Sequence, residues 1–123
     1  MKFMFNGAYE FNQPIGDWDV SSVTNMSYMF SYTDNFNQLI NDWDVSGVTN
    51  MDGMFKYARE FNQPIGGWDV SNVTDMRSMF YGALLFNQDI SMWNIGDKVN
   101  KGYIFLDCPI SEKYKPVKLR YKL

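Results

Sequence analysis

One spacing constrains this chain more than anything else in it: nearly the same twenty-residue string recurs every 25 residues. It begins at Phe11, Phe36 and Phe61, and a worn copy begins at Phe86. Laid in register, the copies share Asn12, Asn37, Asn62 and Asn87, each followed by Gln, then Ile15, Ile40, Ile65 and Ile90. Trp18, Trp43, Trp68 and Trp93 align next, and Val23, Val48 and Val73 follow with Met26, Met51 and Met76. Phe30, Phe55, Phe80 and Phe105 close the unit. Met1, Met4 and Phe5 fall on the positions of Met26, Met29 and Phe30, so the sequence opens inside a repeat. Repetition at a fixed period of about 20–50 residues is the signature of stacked units, each of which buries its apolar face against the next.

Two periodicities alternate within a unit. From Asp17 to Ser21 polar and apolar residues alternate, which predicts a short strand with Trp18 and Val20 inward. From Thr24 to Ser31 the apolar residues Met26, Met29 and Phe30 stand at i, i+3, i+4, which predicts a short helix with Thr24 or Asn25 as its N-cap. The Asn-, Gln-, Pro- and Gly-bearing remainder reads as a return loop. The expected fold is therefore an α/β repeat, a leucine-rich-repeat-like solenoid of short parallel strands and short helices with about four repeats. Residues 1–110 form it, with a half-repeat at 1–10 and repeats starting at 11, 36, 61 and 86, the last degenerate. Residues 111–123 are a basic C-terminal tail or a capping strand, since Val117, Leu119, Tyr121 and Leu123 alternate with Lys118, Arg120 and Lys122. Ile15-x-x-Trp18-x-Val20 has the core spacing of leucine-rich repeats, with Val23, Val48 and Val73 replacing the usual buried Asn, so an apolar corner is expected there.

The unit Val23-Thr24-Asn25-Met26-x-x-Met29-Phe30, continued by Phe36-Asn37-Gln38-x-Ile40-x-x-Trp43-Asp44-Val45-Ser46, resembles the BspA-like repeat. That repeat occurs in bacterial surface lipoproteins and in proteins of large DNA viruses and some protists. The resemblance covers about residues 1–106. It implies a leucine-rich-repeat-like solenoid used for adhesion or protein binding, at a cell surface or on a virion, with no catalysis.

Composition narrows the chemistry. With no histidine and one cysteine, histidine-based triads, His-containing zinc sites and an intrachain disulfide are all excluded. Cys108 reads as a small buried apolar residue. An apolar fraction of 46% argues against disorder, and no apolar run reaches the roughly 18 residues of a membrane span. No signal peptide is visible, and a secreted parent whose leader had been removed would look the same. The tail is net +4 and the rest net −7 within a total of −3.

The expected outward residues are Asp17, Asp19 and Ser21 in the first repeat, Asp42, Asp44 and Ser46 in the second, and Asp69 and Ser71 in the third. Between neighbouring strands about 4.8 Å apart they would form a row of like charge. Three readings fit: the carboxylates tie corners by bonding Ser or backbone groups, they form a protein-binding face, or they hold a cation. Calcium is unlikely, because no Gly-Gly-x-Gly-x-Asp repeat is present. The Asn-Gln pairs read either as stacked amide ladders inside the solenoid turn or as a polar surface stripe. Lys113, Lys115, Lys118, Arg120 and Lys122 are the candidate tail contacts. An acidic body would repel phosphate, so no nucleic-acid partner is expected. No base, nucleophile elbow or phosphate loop accompanies the carboxylates, so no enzyme and no cofactor are expected. The expected role is a non-enzymatic protein-binding, adhesion or assembly module, with partners that include a second copy stacked head to tail. The alternative is a structural subunit of a larger particle, such as a virus coat or surface layer.

Overall fold

Every 25-residue unit closes through a series of β-turns rather than through a helix and a strand. The computed structural model describes residues 1–120. Among them there is no α-helix and no extended strand. Regular structure consists of two 3₁₀ turns, Glu112–Tyr114 and Val117–Leu119, and three isolated parallel bridges, Asn25↔Asn50, Asn50↔Asp75 and Asp75↔Asn100. The α/β solenoid expected from the sequence is thus overturned: there is no helix at 24–31, no strand at 17–21 and no sheet.

The reason lies in where the backbone hydrogen bonds go. In the second coil the amides of Met54 and Ala58 donate to the carbonyls of Met51 and Phe55 at 3.2 and 3.0 Å, closing two successive four-residue turns. Gly53 and Tyr57, third in each turn, have φ of 60° and 57°, the sign a type II turn demands. The same two positions are left-handed in every coil: Phe3, Tyr28, Ser78 and Tyr103 in one column, Gly7, Tyr32, Gly82 and Asp107 in the other. A left-handed side-chain-bearing residue costs about 1–2 kcal/mol. In every coil but the last, its own amide is spent on the next coil. Residues 17–21 are equally committed, since Trp18 and Val23 donate back to Ile15 and Val20. The one residue between these turns, Asp19, leaves no room for a strand. Asn25 is no helix cap; its Oδ1 accepts the Ser27 amide two residues on, at 2.9 Å.

Alternate amides do two jobs, which accounts for the polar backbone of this arc. Odd-numbered amides such as Met29 and Thr33 close turns within a coil. Even-numbered ones at Met26, Tyr28, Phe30 and Tyr32 donate to Asn50, Asp52, Met54 and Lys56 of the next coil at 2.8–2.9 Å. The next two junctions repeat this pattern from Met51 and from Met76. Across the coil, the Asn12 side-chain oxygen accepts the Asn37 amide, Asn37 accepts Asn62, and Asn62 accepts Asn87, each at 2.9 Å. The Asn-Gln pairs are therefore an amide ladder on the outside of the stack. Trp43, Trp68 and Trp93 tie a third side, each indole donating to the carbonyl of Ile15, Ile40 or Ile65 at 3.0–3.1 Å.

Columns of stacked rings fill the space these ladders enclose. Phe5, Phe30, Phe55, Phe80 and Phe105 follow one another at 5.6–5.8 Å between centroids, beside the column of Phe11, Phe36, Phe61 and Phe86 at 5.7–6.0 Å. Met26, Met51 and Met76 are fully buried, and Val48 and Val73 pack the corner. Trp18 differs from the other tryptophans: it is 40% exposed where they are 4%. The first coil has no neighbour on its other side among the described residues.

The tail closes the opposite end, as turns rather than a strand. Ile110 and Leu119 are buried against the last coil, and the Ser111 amide takes the final rung of the asparagine ladder from Asn87 at 2.9 Å. Tyr121, Lys122 and Leu123, part of the expected strand, lie outside the described residues. Cys108 is half-buried; burial raises its thiol to about 11.

Candidate functional site

The residues picked out for the outward face share one local chemistry. The Oδ1 atoms of Asp19, Asp44 and Asp69 each accept two bonds from the serine two places on. The Ser21, Ser46 and Ser71 amides donate at 3.0 Å and their hydroxyls at 2.5–2.6 Å. These bonds hold each carboxyl below its ordinary range, the hydroxyl being the larger cause. Asp44 also feels Asp19 and Asp69 pushing it upward, so the three do form a row. There is no sheet face beneath them; each pair braces the corner between two β-turns. Asp17 and Asp42 are exposed, and their register continues as Gly67 and Met92, so no longer row forms. The Asp42 carboxylate accepts from the Asn41 amide group at 3.3 Å.

Three features escaped the sequence. Asp89 and Ser91 repeat the Asp-Ser brace at a corner where the other copies have Pro14, Leu39 and Pro64. Tyr32, Tyr57 and Tyr81 form a surface ridge with ring separations of 4.9 and 5.2 Å. Lys56 lies over Tyr57 and Tyr81 at 5.9 and 5.4 Å, and Arg59 over Tyr57 at 5.7 Å. Beside it, Tyr28, Asp52, Arg77, Ser78, Gly102 and Tyr103 line a shallow groove of about 390 Å³. Burial raises the Asp52 carboxyl, Asp75 raises it further, and Arg77 at 3.6 Å opposes both. The signal for the ridge was present as Tyr32 and Tyr57 at the 25-residue spacing. Helical periodicity, in contrast, places Tyr32 just past the end of a helix at 24–31.

The tail cations turn back onto their own chain. Lys115 pairs with Glu112 and Lys118 with Asp97, and the Lys118 ammonium also donates to the Ile95 carbonyl at 3.0 Å. Arg120 donates to the Lys115 and Lys113 carbonyls at 3.2 and 3.4 Å, and Lys113 lies 5.4 Å over the Tyr114 ring. Among the described residues no group of three His, Cys, Asp or Glu side chains could hold a metal ion, and no helix is long and apolar enough to cross a membrane.

Residues 1–115 match the model of a family described as "Mycoplasma protein of unknown function, DUF285". No curated protein and no solved structure matches the chain.

Proposed function

The chain belongs to the DUF285 family, and on that premise we propose that it is a non-enzymatic protein-binding module of the BspA-like type, acting in adhesion or assembly. The observation that carries this reading is one backbone site occupied five times by four kinds of residue. Phe3, Tyr28, Gly53, Ser78 and Tyr103 share φ of 55–60°, yet their side chains range from none to a phenol. The recurring Asn and Trp side chains hold coil to coil, while this left-handed position varies. A constant scaffold with a variable outer surface is the division of labour that repeat proteins use for recognition.

The face assigned to the partner is the ridge of Tyr32, Tyr57 and Tyr81 with Lys56 and Arg59. Tyrosines offer large contact area at low entropic cost, and the cations favour an acidic protein segment. The Asp19, Asp44 and Asp69 row has its serine bonds to make and is the weaker candidate. The test compares proteins retained from the surface fraction of the source cells by the wild-type chain, by Tyr32→Ser/Tyr57→Ser, and by Asp19→Asn/Asp44→Asn/Asp69→Asn. A partner kept by the aspartate variant and lost by the tyrosine variant supports the assignment. Identical retention by all three removes the ridge from consideration.

A further inference from the structure

One column of left-handed residues is broken in its middle. Phe3, Tyr28, Gly53, Ser78 and Tyr103 occupy the same backbone site in five successive coils, so along the stack the column runs ring, ring, gap, gap, ring. Phe3 stacks on Tyr28 at 5.0 Å and 5°, and the Tyr28 ring lies against Gly53, where a Cβ would come within 2.4 Å of it. Tyr103, beyond the gap, is 72% exposed. The missing rings leave the groove lined by Tyr28, Asp52, Arg77, Ser78, Gly102 and Tyr103.

The charged groups of this groove are unevenly satisfied. Arg77 donates twice to Asp75, through Nε to Oδ1 at 3.2 Å and through Nη2 to Oδ2 at 3.0 Å, and comes no nearer than 3.6 Å to Asp52. The Tyr28 hydroxyl donates to Asp52 at 3.3 Å. Both groups approach Oδ2 of Asp52, and its Oδ1 accepts no hydrogen bond among the described residues. That side chain is only 15% exposed, so water compensates it poorly; burial raises its carboxyl and Asp75 adds to the effect. Lys56 also acts on Asp52, but its ammonium lies over the Tyr57 and Tyr81 rings of the ridge. A mostly buried carboxylate with an unspent oxygen, in a groove walled by tyrosines, favours a cation.

Resting on the protein-binding reading above, we propose that the groove takes a lysine side chain of the protein partner, its ammonium donating to Asp52 and its stem lying between Tyr28 and Tyr103. One unspent oxygen suits a point donor, whereas the planar fork of an arginine is matched by a carboxylate with both oxygens open. The lysine stem covers the apolar ring surface while its head stays on the carboxylate. The groove lies beside the ridge, whose Lys56 and Arg59 favour acidic groups. The recognised segment therefore carries a lysine next to acidic side chains, a charge order that sets its register.

Proton–nitrogen correlation spectra of the full chain, titrated at low salt with the capped tripeptide glycyl-lysyl-glycine, test the proposal. The Asp52, Arg77, Ser78 and Tyr103 amides are expected to shift with a dissociation constant on the order of 1 mM, the weak end of the affinity scale. Asp52→Asn keeps the shape of the side chain and lowers the association constant about tenfold. Tyr103→Ser, at an exposed position, lowers it about threefold. Arg77→Gln removes a competing cation and raises it. The same tripeptide with an acetylated lysine leaves the amides unmoved, as does ethanolamine, which has the ammonium without the stem. Binding that survives Asp52→Asn or acetylation overturns the proposal, as does equal binding of ethanolamine or of the arginine tripeptide. A chain that keeps its partner through the tyrosine ridge yet binds no lysine peptide refutes the groove alone. One that binds the peptide but retains no partner refutes the protein-binding reading and leaves the groove's chemistry standing.

Discussion

Replacing Phe55 by Ala removes a ring with no solvent exposure from the middle of the longest aromatic column. Phe30 and Phe80 lie 5.6 Å on either side, Phe61 4.2 Å away and Trp68 6.3 Å away. The coils above and below are pinned by the amide ladder, so the cavity cannot collapse. Such a truncation costs about 3–5 kcal/mol, a large part of the roughly 5–15 kcal/mol that holds a domain together. Phe5 belongs to the same column but is half-buried in the first coil, with Phe11, Trp18 and Phe30 as neighbours and no further ring among the described residues. Its truncation is expected to cost about half as much, since less area is returned to water and the site can relax. The assay is urea unfolding followed by tryptophan fluorescence, with Phe55→Leu as the milder variant should Phe55→Ala unfold. A Phe55→Ala cost no larger than that of Phe5→Ala would refute the stacked-column account.

Three further outcomes follow from named contacts. Asn37→Ala strips the acceptor from the Asn62 amide and the Gln63 side chain, bonded at 2.9 and 3.0 Å, and should cost about 0.5–1.5 kcal/mol in urea unfolding. Asn37→Asp keeps that acceptor and should cost less; equal losses would count against the ladder. Gly53→Ala adds a Cβ 2.4 Å from the Tyr28 ring at a φ of 60° and should destabilise, whereas Ser78→Gly relieves a left-handed residue at 55° and should stabilise by up to about 1 kcal/mol. The reverse order of the two thermal midpoints would contradict the turn assignment. For Asp19, Asp44 and Asp69 the folded values lie below the unfolded 3.8. The stability they contribute is therefore present above that value and lost as pH falls through the folded ones. Ser21→Ala/Ser46→Ala/Ser71→Ala should flatten the acid side of the stability–pH curve, and an unchanged acid side would show that the serines do not hold the carboxylates.

The register was legible in the sequence, and the secondary structure was not. Phe, Ile, Trp and Met at a 25-residue spacing identify the buried columns directly, because a stack buries the same position of every coil. Met26, Met29 and Phe30 misled because a chain of four-residue β-turns returns to one face every three or four residues, as a helix does. What separates the two is a left-handed residue in each turn. Here that position holds Phe3, Tyr28, Ser78 and Tyr103, and only Gly53 of the five announces it. Asp19-Val20-Ser21 misled for a similar reason: alternation marks the direction of side chains and is silent about where the amides bond. The Asp-Ser row was found with one of its roles, as a corner brace, already among the readings. The tyrosine ridge was hidden because its register only has meaning once the turns are known.

The account stands on amides that bond across coils instead of within helices, and nuclear magnetic resonance can see those bonds one by one. Through-hydrogen-bond couplings from the Met51, Gly53, Phe55 and Tyr57 amides should lead to the carbonyls of Asp75, Arg77, Met79 and Tyr81, 24 residues on. Couplings from the same amides to carbonyls four residues back would mean that this arc is a helix, and would contradict the structure at its centre.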